Sequence, residues 1–157
     1  MTMDGAGVPP TSLQIPKDAL RLLAEDVADI QLISAALQDA VAQVGDINYE
    51  PQARRLTIAM NRFRWERPPN QAGGERVRSA LQIGGVLGVQ ARRLKRDPRD
   101  AVVELLALDF QPGDPPGGEV LLSFAGGADL RVTVECLDAI LADVSQPWST
   151  PRSPRHD

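Results

Sequence analysis

The chain has 157 residues, 43% of them hydrophobic, which suits one domain with a real core and leaves little room for two. Its single cysteine, Cys136, excludes an internal disulfide framework and a cysteine-built metal site. Net charge is −4, yet residues 54–99 carry eleven Arg and one Lys against Glu66, Glu75 and Asp97, a local +9 that leaves −13 elsewhere.

Residues 1–16 hold Gly5, Gly7, Pro9, Pro10 and Pro16 with little hydrophobic periodicity, and read as a disordered leader. No basic segment followed by an apolar one marks a signal peptide there. The folded domain is expected over 17–148. It opens with a strand over Ala19–Ala24. Asp26 then reads as a helix N-cap, with Asp29 near the positive helix end. Val27, Ile30, Ile33 and Leu37 recur at helical spacing, so a helix is expected from Val27 to about Gln38.

From there the period changes to two. Val41–Tyr49 reads as a strand, closed by a turn at Glu50–Ala53, with Arg55–Trp65 as its partner. Arg76–Ile83 alternates, with Val77, Leu81 and Ile83 on one face. Gly84–Gly85 interrupts, and Val86–Leu94 resumes. "KRDPRD" (Lys95–Asp100) reads as a turn, and Ala101–Phe110 as the most apolar strand. "QPGDPPGG" (Gln111–Gly118) is a loop. Glu119–Phe124 and Asp129–Thr133 flank "AGGA", a hairpin turn with glycines available for positive φ. Leu137, Ile140, Leu141 and Val144 are spaced as on one face of a closing helix. Residues 149–157 read as a flexible tail, with Trp148 folding back to anchor its start.

Seven consecutive strands after a β-α unit, followed by a closing helix, match an α+β fold. The expected form is a pleckstrin-homology-like antiparallel barrel, its two sheets nearly orthogonal and the C-terminal helix plugging one end. A plain α+β sandwich is the other arrangement of the same elements.

"NRFRWER" (Asn61–Arg67) poses a parity problem. Leu56, Ile58 and Met60 share one side of their strand, whereas Phe63 and Trp65 have the opposite parity. A β-bulge near Asn61–Arg62 would return both aromatics to the core and leave Arg62 and Arg64 in water. With Arg76 and Arg78 on the next strand they would form a four-arginine patch for a phosphate or an acidic peptide. A solvated face partly neutralised by Glu66 and Glu75 is the simpler account of the same residues. The excess of arginine over lysine, fifteen to two, fits anion recognition or a GC-rich genome.

Catalytic side chains are scarce. The one histidine, His156, lies in the expected tail, so no Ser-His-Asp or Cys-His arrangement has a base. Cys136, beside Leu137, reads as a small buried hydrophobe. "GGVLGV" (Gly84–Val89) lacks the spacing of a dinucleotide loop and is followed by a strand where a helix is needed. "DPPGGE" lacks the lysine of a phosphate loop. Asp26 with Asp29, and Glu135 with Asp138, read as acids at helix N-termini. No H-x-x-x-H or C-x-x-C spacing supports a metal, and no cofactor is implied. The thirteen charge-free residues Ser79–Ala91 are too few to span a bilayer as a helix, and a single thiol suits a reducing compartment, so a cytoplasmic location is expected.

"LRLLAEDVADIQLISAALQDAV" (Leu20–Val41), "RRLTIAMNRFRWE" (Arg54–Glu66), "LLSFAGGADLRVTVECLDAIL" (Leu121–Leu141) and "PWSTP" (Pro147–Pro151) together resemble an alphaproteobacterial family of unknown function. The resemblance covers roughly residues 19–151 and implies no activity, cofactor or catalytic residue. The expectation is a non-enzymatic binding or adaptor module that recognises a protein or a small anionic ligand. The alternative is a nucleic-acid-binding protein using the basic 54–99 segment, against which the overall acidity weighs.

Overall fold

The computed structural model describes residues 19–66 and 73–151. In chain order the elements are β1 (Arg21–Ala24), α1 (Val27–Ala36), β2 (Val41–Gln43), β3 (Ile47–Glu50), β4 (Arg55–Phe63) and β5 (Gly74–Ile83). They continue with β6 (Val86–Arg92), β7 (Val102–Pro112), β8 (Gly118–Phe124), β9 (Asp129–Val134), β10 (Ala139–Asp143) and β11 (Trp148–Thr150). The expected leader, residues 1–16, and His156 lie outside the described residues.

α1 begins as its sequence dictates. Asp26 is extended, and its carboxylate accepts the Asp29 N–H at 2.8 Å, while Asp29 in turn accepts the Glu25 N–H at 3.1 Å. Two amides at the helix start are thereby satisfied, a contribution of about 1 kcal/mol. Ile30, Ile33 and Leu37 are buried against the sheet.

The expected strand Val41–Tyr49 is two strands. Val44–Asp46 forms a tight helical turn between β2 and β3, in which Asp46 accepts the Gln43 N–H at 3.3 Å. The Gly45 N–H is drawn away to the Arg99 carbonyl at 2.7 Å. The kink lets β3 continue along β4 (Ile47 opposite Ile58) while β2 pairs with β4 at Val41–Asn61 and with β7 over three residues.

All strand pairs are antiparallel, in the order β1-β10-β5-β4-β2-β7-β8-β9-β6, with β11 on β5 and β3 on β4. One core serves the whole sheet. It gathers Leu56, Ile58, Met60, Leu81 and Ile83 from β4–β5, Leu108, Leu122, Leu130 and Val132 from β7–β9, and the apolar stripe of α1.

The structure corrects the C-terminal helix. Its residues form β10, inserted between β1 and β5, with Ile140 opposite both Leu23 and Gln82. Leu137 and Leu141 are buried as expected, Ile140 is half-buried and Val144 is exposed. The strand alternation Ala139–Leu141–Asp143 was hidden because its third inward residue is an acid, and pairing on both sides overrides local helix propensity. The barrel expectation thus loses the helix on which it rested. The described residues are mostly antiparallel sheet with one α-helix, α+β in class. Trp148 does fold back, but through its backbone: β11 pairs with Arg76–Gly74, and the indole is exposed. β11 thus carries strand pairing as far as Thr150.

Candidate functional site

The four-arginine patch is not an exposed row. β4 and β5 pair without interruption from Leu56–Ile83 to Phe63–Arg76, so no bulge resets the phase. Arg62 keeps the parity of Leu56, Ile58 and Met60 and enters the protein on their face, with 0% of its surface exposed. Phe63 is buried on the opposite face, packed 4.7 Å from Trp65, which is half-buried and donates its indole N–H to the Gln38 carbonyl.

Arg62 is saturated. Nε and Nη2 donate to the two Asp143 oxygens at 2.8 and 2.9 Å. Nη1 and Nη2 donate to the two Glu66 oxygens at 2.9 and 2.7 Å, and Nη1 also reaches the Phe63 carbonyl at 3.3 Å. These contacts occupy all five N–H donors of a guanidinium. Burial opposes the charge, but the hydrogen bonds to Glu66 and Asp143 outweigh it and hold the Arg62 pKa above its ordinary value. Burial likewise opposes the Asp143 charge. Hydrogen bonds from Arg62, Ser79 (2.6 Å) and the Leu20 N–H (2.8 Å) outweigh it and keep the carboxyl below its usual range. Glu66 is also lowered, chiefly by its hydrogen bond from Arg62.

Arg64 is buried too and donates to Glu75 at 2.7 Å. Arg76 and Arg78 lie on the opposite face of the sheet from Arg62, beside Asn61 and Phe63. Arg78 donates to the Asn61 side chain at 3.1 Å and faces Asp46 at 3.3 Å. Arg76 donates to the Asn61 carbonyl at 3.2 Å and sits 5.9 Å from the Phe63 ring centroid, its pKa lowered by burial. The structure therefore unites Arg76 with Arg78 and separates both from Arg62. Cys136 is exposed, contrary to expectation, because the chain there bends between strands instead of starting a helix.

A different group of side chains forms an open site. Among the described residues β3 pairs only with β4 and β6 only with β9, so each presents a free edge there. Between them lies a cleft of about 220 Å³. Leu56 and Leu130, both buried, form its floor, and Val44, Ile47, Tyr49, Val89 and Leu94 its walls. The exposed Arg96 and Arg99 stand at its mouth. The inner face of β6 is left partly uncovered. Val89 and Ala91 lie opposite the buried Val132 and Leu130, yet Val89 is half-buried and Ala91 exposed.

Backbone bonds bracket the cleft. The Val86 N–H donates to the Arg54 carbonyl at 2.9 Å on one side. On the other, the Val44 N–H donates to Ala101 at 2.8 Å and the Gly45 N–H to Arg99, while Arg99 Nη2 returns a bond to the Gly45 carbonyl at 3.3 Å. Arg99 is thus held in place, and Arg96 forms no ion pair among the described residues. Sequence reasoning filed "KRDPRD" as a turn and missed both. Its signal was a run of cations directly after a strand whose alternate residues are apolar.

Among the described residues, no three or more His, Cys, Asp or Glu are grouped to hold a metal, and no helix is long and apolar enough to cross a membrane. Residues 20–156 match the model of a family described as protein of unknown function (DUF2948). No curated protein and no solved structure matches the chain.

Proposed function

We propose that this chain, which belongs to the DUF2948 family of proteins of unknown function, is a non-enzymatic binding module that holds a small anionic ligand in the cleft between β3 and β6. One observation carries this reading: an apolar cleft whose mouth bears two arginines, neither in an ion pair among the described residues and one of them, Arg96, without a side-chain hydrogen bond there either. Few convergent charges on a mainly hydrophobic lining is the usual composition of a ligand site. Arg62 and Arg64 are set aside as ligands because both are buried and already engaged by carboxylates. The nucleic-acid reading of residues 54–99 has less support. A stacking platform needs exposed aromatics, and Phe63 lies inside with Trp65 half-covered.

Anilinonaphthalene sulfonate, which joins an apolar ring system to one anionic group, is a direct probe. Its fluorescence should rise on titration with the folded chain, and the rise should be lost in Leu94→Glu and reduced in Arg96→Glu. An equal rise in all three proteins would place the dye elsewhere and refute the reading.

A further inference from the structure

Resting on that reading, we infer that the ligand is a small carboxylate with an apolar body of about seven carbon-sized groups, bound with its carboxylate at Arg96 and its body against Ile47, Tyr49, Val89 and Leu94. Size comes first. The cleft, at about 220 Å³ and open at its mouth, lies below the roughly 300–1,000 Å³ of pockets that bury most of a drug-sized molecule, so it encloses a short apolar body and leaves the rest of a larger ligand in solvent. At roughly 30 Å³ for each water-sized group, it admits on the order of seven. A hydrophobic body of that length meets side chains from β3, β6 and the segment after β6, and covers the exposed inner face of β6 at Val89 and Ala91.

Charge comes second. Arg99 already spends a guanidinium nitrogen on the Gly45 carbonyl, which leaves Arg96 as the arginine able to offer its whole fork. One fork matches one carboxylate in bidentate geometry. A phosphate carries up to two charges and asks for several donors together. The acids nearest in sequence, Asp97 and Asp100, belong to the same exposed segment and disfavour a dianion there.

The test is amide-resonance titration of the full chain with butanoate, hexanoate, octanoate and decanoate, and with hexanol and hexyl phosphate as head-group controls. Shifts should cluster at Val44, Ile47, Tyr49, Val89, Leu94 and Leu130. Affinity should rise by about two- to four-fold per methylene up to octanoate and then level off. Hexanoate should bind roughly ten-fold more tightly than hexanol, as one charge-assisted hydrogen-bonded pair implies. That preference should vanish in Arg96→Gln, an exposed position whose unfolding midpoint should stay unchanged, and return in part in Arg96→Lys. Tighter binding of hexyl phosphate overturns the carboxylate assignment but leaves the anion-binding cleft, whereas equal binding of hexanol and hexanoate overturns both the carboxylate and the anionic reading. Absence of shifts at these amides with every compound overturns both the assignment and the reading beneath it.

Discussion

Replacing Asp143 by Ala should be among the most costly single changes in this protein. The carboxylate accepts four hydrogen bonds, two from Arg62, one from the Ser79 hydroxyl and one from the Leu20 N–H, and its side chain is 2% exposed. Removal leaves the Ser79 donor and one edge of a fully buried guanidinium facing apolar surroundings. Arg62 keeps its fork on Glu66, so the charge is not orphaned, and the cost is expected near the lower end of the roughly 3–5 kcal/mol of a broken buried pair. That is a large part of the roughly 5–15 kcal/mol that stabilises a domain. An exposed helical aspartate, the environment implied by the sequence, would give about 0.5 kcal/mol. Urea unfolding followed by circular dichroism separates the two. Adding Arg62→Met to Asp143→Ala should cost less than the sum of the single changes, by at least about 1 kcal/mol, because the two act as one unit. A loss below about 1 kcal/mol for Asp143→Ala, or strictly additive losses, would refute the assignment of a cohesive buried pair.

Asp143 and Glu66 are both more acidic in the folded chain than ordinary carboxyls. The stability they contribute is complete above the unfolded values near 4 and drains as pH falls through the lower folded ones. The urea midpoint should hold from about pH 7 to 5 and drop below about pH 4. Asp143→Ala should flatten that acid limb, and an unchanged limb would show that other groups control it. Leu141→Ala should cost roughly 2–5 kcal/mol, since Leu141 is fully buried in β10, and a thermal unfolding shift no larger than that of exposed Val144→Ala would contradict the strand. Gly74→Ala should destabilise by about 1–3 kcal/mol in the same assay, because a Cβ there meets the Phe63 ring. A neutral result would mean that the ring has room to move.

Local signals were the readable part of this sequence. The Asp26 cap and the hairpin between β8 and β9 rest on contacts within a few residues, and the spacing of the α1 stripe and the glycine pair after β5 are patterns visible in a short window. What escaped was decided by partners far away in the chain. β10 is a strand because β1 and β5 flank it, and no window of residues around Leu137–Val144 contains either. Arg62 was sent outward by its charge. Its burial depends on Asp143, 81 positions later, which the expected closing helix would set off its apolar face. Two compensating charges, each improbable in a core alone, were therefore both misplaced, and an imagined bulge reconciled the remaining parity. The cleft was out of reach for a similar reason: it exists only between the edges of β3 and β6, whose approach no local pattern records.

β1 has consequences for how the chain comes together. Among the described residues its only strand partner is β10, and the Leu20 amide bonds to a side chain 123 residues away. During synthesis β1 and α1 emerge first, but β1 has no edge to join until nearly all of the folded region has left the ribosome. Closing so long a loop is slow, as in other folds built on distant pairings. Meanwhile "RLLA" is an unpaired apolar segment, open to pairing with the wrong edge. Once β10 arrives, the first and the penultimate strands lock side by side. A permuted chain that joined these neighbours covalently and opened at the β8–β9 hairpin would form the same contacts from closer range, and should fold faster than the natural order.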